Sequence, residues 1–396
     1  MNPIQRRALR NGAVAAAATA VVLFGIDAAA PGDEEPRATP TSTTASPSPG
    51  CEPAWEVAES VDPDDEGNQL LAVTAVAADD VWAVGGFGPP DAPSSTLVER
   101  WNGAFWFVVP SPNDGTTVNV LNAVAAAAPD DVWAVGRSSS GAGDRPLIEH
   151  WDGEGWSVSP VAVPGGGVLQ GVAAVGRNVW AVGSSGRPGT EQALILRWDG
   201  VTWTPEATPA FPGRSALLAV RAVGPRDVWA IGSRGNRPLV LRFDGTRWRT
   251  VPVPARGPLV AIQPVAGGQA WAVGTDIYQW DGTTWAPVGV ARRGGELHGV
   301  AAVSTEDVWA VGSSPGSEEG ATRALVQRFD GTGWSIVPGP AVPGLGVPGL
   351  EGPGVPGSEA LTAATALPDG TMWAVGYRDT TKRRATFVVR GSVTCT

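Results

Sequence analysis

Short apolar runs alternate with polar turns down most of this chain, and the runs return in a fixed order. Each unit contains four runs. The first is rich in alanine, as in Leu121-Asn122-Ala123-Val124-Ala125. The second is the phrase Val81-Trp82-Ala83-Val84-Gly85, repeated unchanged or with one substitution around Trp133, Trp180, Trp229, Trp271, Trp309 and Trp373. The third is exemplified by Leu97-Val98-Glu99-Arg100-Trp101 and Leu194-Ile195-Leu196-Arg197-Trp198. After an Asp-Gly or Asn-Gly pair the fourth run opens on another Trp, as at Trp106 and Trp203. Runs this short, rich in Val, Ile and Trp and bounded by turn residues, predict strands.

A unit of four strands returning seven times predicts an all-β, seven-bladed propeller of four-stranded antiparallel blades. The Ala-rich run belongs innermost, where blades converge and space is least. In the second run Trp82 and Val84 face one way, and Val81 and Ala83 the other, because strand side chains alternate. Each phrase Trp is therefore expected to pack on the small Ala face of the next blade. Truncating one of them, Trp229→Ala, is expected to cost roughly 3–5 kcal/mol. The Asp-Gly pairs at 152–153, 199–200, 244–245, 281–282 and 330–331, with Asn102-Gly103, read as tight hairpin turns, since both residues tolerate positive φ.

The tryptophans also predict how the ring closes. All 18 occupy repeat positions, but only six open a fourth run: Trp106, Trp156, Trp203, Trp248, Trp285 and Trp334. The seventh unit stops at Phe387-Val388-Val389-Arg390, and the missing member is Trp55, at the other end of the chain. The N-terminal strand is thus expected to complete the last blade. The two cysteines, Cys51 and Cys395, flank that junction, so a disulfide is expected where the compartment is oxidising.

Three segments stand outside the repeat. Residues 1–30 carry Arg6, Arg7 and Arg10 and then an apolar run from Gly12 to Ile26. This reads as a cleaved export signal or an uncleaved N-terminal anchor, the apolar run being short against the ~20 residues of a spanning helix. Arg6-Arg7-Ala8-Leu9 resembles a twin-arginine signal. Residues 31–50 are rich in Pro, Thr and Ser and predict a disordered linker. Residues 51–396 form the propeller, interrupted at 338–358 by a low-complexity insert of Val-Pro-Gly and Gly-Pro-Gly units. Either reading of the first segment places the domain outside the cytoplasm, secreted or held on the outer face of the membrane. A bacterial protein is expected.

The blade plan resembles that of the kelch and galactose-oxidase-like propellers over about residues 51–395, in a strand ending in Gly followed by a later Trp. The Gly doublet is present only at Gly85-Gly86. The turn at 281–285 is similar to the Asp-box of sialidase-like propellers but lacks one residue between Asp and Gly. The resemblance implies a fold, not an activity.

Chemistry is thin. The formal charge is −11, which argues against nucleic acid as a partner. Two Tyr and two His cannot furnish a copper centre of the galactose-oxidase kind together with spare ligands. His150 takes the place of Arg100, Arg197 and Arg242 in the third run and is expected to be an ordinary strand residue. His298 lies on an inner strand and could face the channel, in a structural role. Asp62-Pro63-Asp64-Asp65-Glu66-Gly67 opens like a calcium loop, but its twelfth position is Val73. No metal and no cofactor are expected.

In an up-and-down blade the second-to-third loops and the blade-to-blade links share one face. These segments vary in length and sequence, and function concentrates on such loops. They carry many arginines, among them Arg137, Arg187, Arg234, Arg293, Arg323 and Arg378. Guanidinium forks suit acidic groups. The expected function is a non-catalytic, monomeric binding or scaffold module for a protein or glycan at the cell envelope. The alternative is a carbohydrate-active enzyme, a glycoside hydrolase or lyase, with channel-mouth carboxylates such as Asp114 or Glu296 as acid and base.

Overall fold

The computed structural model describes residues 51–395 except 66, 90–93, 116–117, 142, 293, 317–320, 339–357 and 380–382. The segments 1–30 and 31–50, Arg293 and nearly all of the 338–358 insert lie outside the described residues. Among the described residues the strands form seven four-stranded antiparallel sheets. Blade 1 runs from axis to rim as Asn68–Ala77, Asp80–Phe87, Ser95–Trp101 and Trp106–Val108. Blades 2 to 6 repeat it, their inner strands being Val118–Ala128, Gly167–Val175, Ser215–Gly224, Ala261–Val265 and Glu296–Ala302. Blade 7 comprises Glu359–Ala366, Met372–Asp379 and Arg384–Cys395, and its rim strand is Cys51–Ala58.

The ring therefore closes as the tryptophan count predicts. Trp55 lies opposite Gly391 in the register, and Ala58 opposite Val388. In blade 1 the corresponding pair is Trp101 opposite Trp106. Blade 7 thus has Gly where other blades have Trp or Phe, and the Trp55 ring occupies the space: a Cβ on Gly391 would come within 3.0 Å of three ring atoms.

Each blade is buried on both faces. At most joints the phrase Trp of one blade meets two aromatic residues of the next, one from its third strand and one from its rim strand. Trp82 lies 5.1 Å from Trp151 and 5.5 Å from Trp156. Trp133 meets Trp198 and Trp203 in the same way, and Trp373 meets Trp101 and Trp106. At the closing interface Trp309 meets Trp55 edge-on at 5.3 Å. The expected Ala face is there too, Trp82 sharing its core with Val132 and Ala134 of the phrase that follows.

The other side of most of these rings is covered by a cation. Arg100 lies 4.6 Å over Trp82 and bonds Asp80 at 2.7 Å. Arg242 and Arg328 repeat the arrangement on Trp229 with Asp227 and on Trp309 with Asp307. On Trp133 the His150 ring stacks at 4.0 Å instead and bonds Asp131, a place in the strand like that of the arginines it replaces. The Asp of each Asp-Val-Trp sequence thus holds its own blade's third strand.

The glycine that ends the phrase has a steric cause. A Cβ on Gly136 would stand 1.9 Å from the Val120 carbonyl oxygen, and Gly85, Gly183, Gly232, Gly312 and Gly376 meet the same obstacle at 1.9 to 2.1 Å. The obstacle is backbone, so no rotamer relieves it. Gly136→Ala is expected to destabilise by about 1–3 kcal/mol, the usual cost of overpacking. Gly141→Ala, at a turn with open space around it, serves as the control in thermal melts.

The Asp-Gly pairs form the tight hairpin turns expected of them. Trp151 pairs with Trp156, which leaves four residues in the loop. Only the glycine has positive φ, 98° at Gly153, while the Asp152 carboxylate accepts the amides of Glu154 and Gly155. A side chain that caps two amides lets Asp stay at negative φ. These amide bonds hold the Asp152 carboxyl below its usual range.

Candidate functional site

The inner strands enclose a central cavity of about 150 Å³ to which all seven blades contribute. In six of them the pairing with the second strand slips by one residue, between Leu121 and Ala123 in blade 2 and between Leu297 and Gly299 in blade 6. The extra residue of each such bulge lines the cavity: Leu71, Asn122, Gln170, Leu218, His298 and Thr362. Val260 holds that place in blade 5. A bulge re-aims a side chain and frees a backbone group. The freed groups are used: Asn122 donates to the Leu169 carbonyl at 2.8 Å, and Thr362 to the Leu70 carbonyl at 2.9 Å. His298 Nδ1 meets the Leu361 carbonyl at 3.1 Å. Each bond joins one blade to the next around the channel. His298 thus faces the channel and ties blades together, as expected of a structural histidine.

Strand alternation alone does not announce the bulges, yet a signal for them exists. Every inner strand with a bulge reads Leu, a variable residue, then Ala or Gly, as in Leu169-Gln170-Gly171 and Leu361-Thr362-Ala363. Only the middle residue changes polarity from blade to blade. The small residue after it is required because adjacent inner strands nearly touch there; a Cβ on Gly171 would come 3.0 Å from the Ala219 Cα.

Arg221, which is not one of the loop arginines, lines this cavity. Burial lowers its pKa, and its Nη1 donates to the Val220 carbonyl at 3.1 Å. Among the described residues no carboxylate pairs with it.

The arginines expected on loops are mostly strand residues. Arg137 lies opposite Pro146, Arg234 opposite Arg237, Arg323 opposite Ser314 and Arg378 opposite Glu359 and Ala385. Strand pairing continues past the apolar runs into polar sequence, so these loops are shorter than their composition implies. Arg187 alone of the described five sits in a loop, exposed. The five belong to five different blades and form no single cluster. Arg137 reaches Asp144 at 3.7 Å, Arg234 lies 5.8 Å over the Phe211 ring, and burial raises the Glu359 carboxyl above its usual range against the opposing pull of Arg323 and Arg378. Neighbouring arginines are paired as well, Arg214 with Glu191 and Arg384 with Asp379, each at 2.7 Å.

The carboxyls raised furthest above their usual range are not at the channel. Burial pushes Glu99 and Glu149 up to about 8. Both lie in the third strand, wholly inaccessible, under the link that enters their blade: Val61 N–H donates to Glu99 at 3.4 Å, and Ser111 faces Glu149. Gln327 fills the same place in blade 6 and donates to the Val290 carbonyl. Glu296, by contrast, is held below its usual range by His298, whose Nε2 lies 3.6 Å away, and is mostly exposed. No carboxyl is among the described residues that line the cavity.

A pH dependence follows. The folded protein keeps protons on Glu99 and Glu149 that the unfolded chain releases above its ordinary value of 4.5. Stability from these groups is whole below about pH 4.5, falls as pH rises, and levels off above about 8. Glu149→Gln, which copies the residue of blade 6, is expected to flatten this fall and to melt higher than the parent at pH 9 while matching it at pH 5. Parallel melting curves would show that Glu149 ionises freely.

No family model matches the chain, and no curated protein matches it. Solved structures do. The streptogramin B lyase structure is 13% identical with a TM-score of 0.58, over 86% of this chain and 98% of that one. The WD40 repeats of RRP9 are 11% identical with a TM-score of 0.57, over 86% and 97%. A catalytically inactive virginiamycin B lyase from Staphylococcus aureus, with quinupristin, is 12% identical with a TM-score of 0.55, over 86% and 99%. At such identities the likeness is one of fold, the seven-bladed propeller.

Proposed function

We propose that this chain is a non-catalytic binding or scaffold propeller that takes a protein or glycan partner on the face of its second-to-third loops and blade links. One observation carries the reading. The opposite face is occupied by repeated contacts within the protein: Asp-Gly turns whose Asp binds its own amides, and Arg-Asp-Trp stacks. Among the described residues the loop face shows no such repeat, and its segments differ in sequence from blade to blade. It also carries Arg187, exposed on a loop. The same reading includes export, with the chain acting as a monomer at a bacterial envelope and Cys51 bridged to Cys395. The kelch-like blade plan agrees with it.

The test is a glycan array and a pull-down from envelope extract with the full chain. Retention of a partner that weakens several-fold in an Arg187→Glu, Arg378→Glu variant supports the reading, since charges at an interface rim act mainly on association. Retention unaffected by loop-face changes, or none above an unrelated propeller, would sink it.

A further inference from the structure

The cavity on the axis poses a separate problem, which the loop face does not answer. Arginine cannot shed its proton to escape burial. A charge drawn partly out of water without a counter-charge is costly, and proteins normally pair it. Yet Arg221 faces a cavity lined by no carboxylate among the described residues, in a chain of net charge −11. Its Nη1 bond to the Val220 carbonyl leaves the rest of the guanidinium fork without a protein acceptor among the described residues. On the neighbouring blade, Gln170 lines the same cavity and makes no hydrogen bond to the protein among the described residues. Asn122 uses one amide hydrogen on Leu169 and has a second to offer. A cation and neutral donors therefore line one space, and each has N–H groups beyond the bonds just given for which no acceptor is found among the described residues.

We propose that the central channel is a binding site for a small oxyanion, a carboxylate, sulfate or phosphate, held by Arg221 with Gln170 and Asn122 as neutral donors. The size agrees: a space of about 150 Å³ admits an ion of a few heavy atoms. The charge agrees, since a planar fork binds an oxyanion through two oxygens. This site is independent of the loop-face partner: either could fail with the other intact.

The experiment is a thermal titration of the full chain with potassium phosphate, sodium sulfate and sodium acetate, ionic strength held constant with chloride. A ligand that binds only the native state raises the melting temperature in a saturable way. The parent is expected to saturate with at least one of the three. Arg221→Met is expected to raise the half-saturating concentration tenfold or more, and Gln170→Leu a few-fold. Arg177→Met, an exposed turn residue, is expected to leave it unchanged. Should Arg221→Met not fold, crystals of the parent soaked in selenate decide the matter, with an anomalous peak expected beside the guanidinium. No saturable response in the parent, equal midpoints in Arg221→Met, or a selenate-soaked channel without a peak would overturn the assignment.

Discussion

Trp229→Ala is expected to lower the stability of the propeller by roughly 3–5 kcal/mol. The Trp229 ring sits between Trp280 at 5.4 Å and Trp285 at 5.8 Å on the next blade, and Arg242 covers it at 4.6 Å. The side chain is essentially inaccessible. Truncation removes its own burial and leaves three partners facing a void, and a well-packed wall relaxes only in part. The cost should also spread. Blades 4 and 5 touch through this contact, and a ring with one loosened joint loses support on both sides. Arg242→Met, which keeps the apolar stem over the ring, should cost far less, on the order of 1 kcal/mol for a half-exposed pair and its stacking. Urea midpoints at unchanged slope are the measurement. A Trp229→Ala midpoint close to that of Arg242→Met would mean that the aromatic joint is not what holds adjacent blades.

How much of this is legible in the chain depends on which residues carry the information. The blade count and the closure are legible because the phrase Trp recurs seven times while the Trp that opens the fourth run recurs only six. Trp55 then has only one vacancy to fill, and Gly391 provides the space. The buried state of Glu99 and Glu149 is not legible. Alternation assigns one face of a strand to solvent, but a blade is covered on both faces, so the rule gives no warning of a carboxyl under a link. Arg221 is hidden for the same reason: Val220-Arg221-Ala222 reads as a strand with a polar outward face. The bulges leave a readable trace, the one variable position between Leu and a small residue, which acquires meaning once the inner strands are known to surround an axis. The arginines assigned to loops lie mostly on strands because hydrogen-bonded pairing does not stop where hydrophobicity does. Ser139 still pairs with Asp144, beyond the last apolar residue of that hairpin.

Reduction is expected to weaken the closure of the ring more than any loop change. Cys51 lies directly opposite Cys395 in the antiparallel register. Directly opposed residues in such a pair have Cα atoms about 4.5–5.5 Å apart, inside the span of about 4.4–6.8 Å that a disulfide bridges. The loop so closed includes almost the whole domain, and the chain-entropy model gives about 5 kcal/mol as a nominal ceiling. The prediction has two parts. Protein purified from an oxidising compartment and unfolded in denaturant without reductant should offer no thiol to a maleimide. Reductant should then lower the melting temperature of the parent but not of a Cys51→Ser, Cys395→Ser variant, which should melt at the reduced value throughout. Two labelled thiols per chain would remove the bridge. Closure would then rest on the strand pairing from Ala58 to Cys51 and on the Trp55–Trp309 contact, and Trp55→Ala would become the substitution that opens the ring. With the bridge intact, Trp55→Ala should destabilise blade 7 without freeing its rim strand, because the covalent link keeps the strand's local concentration high.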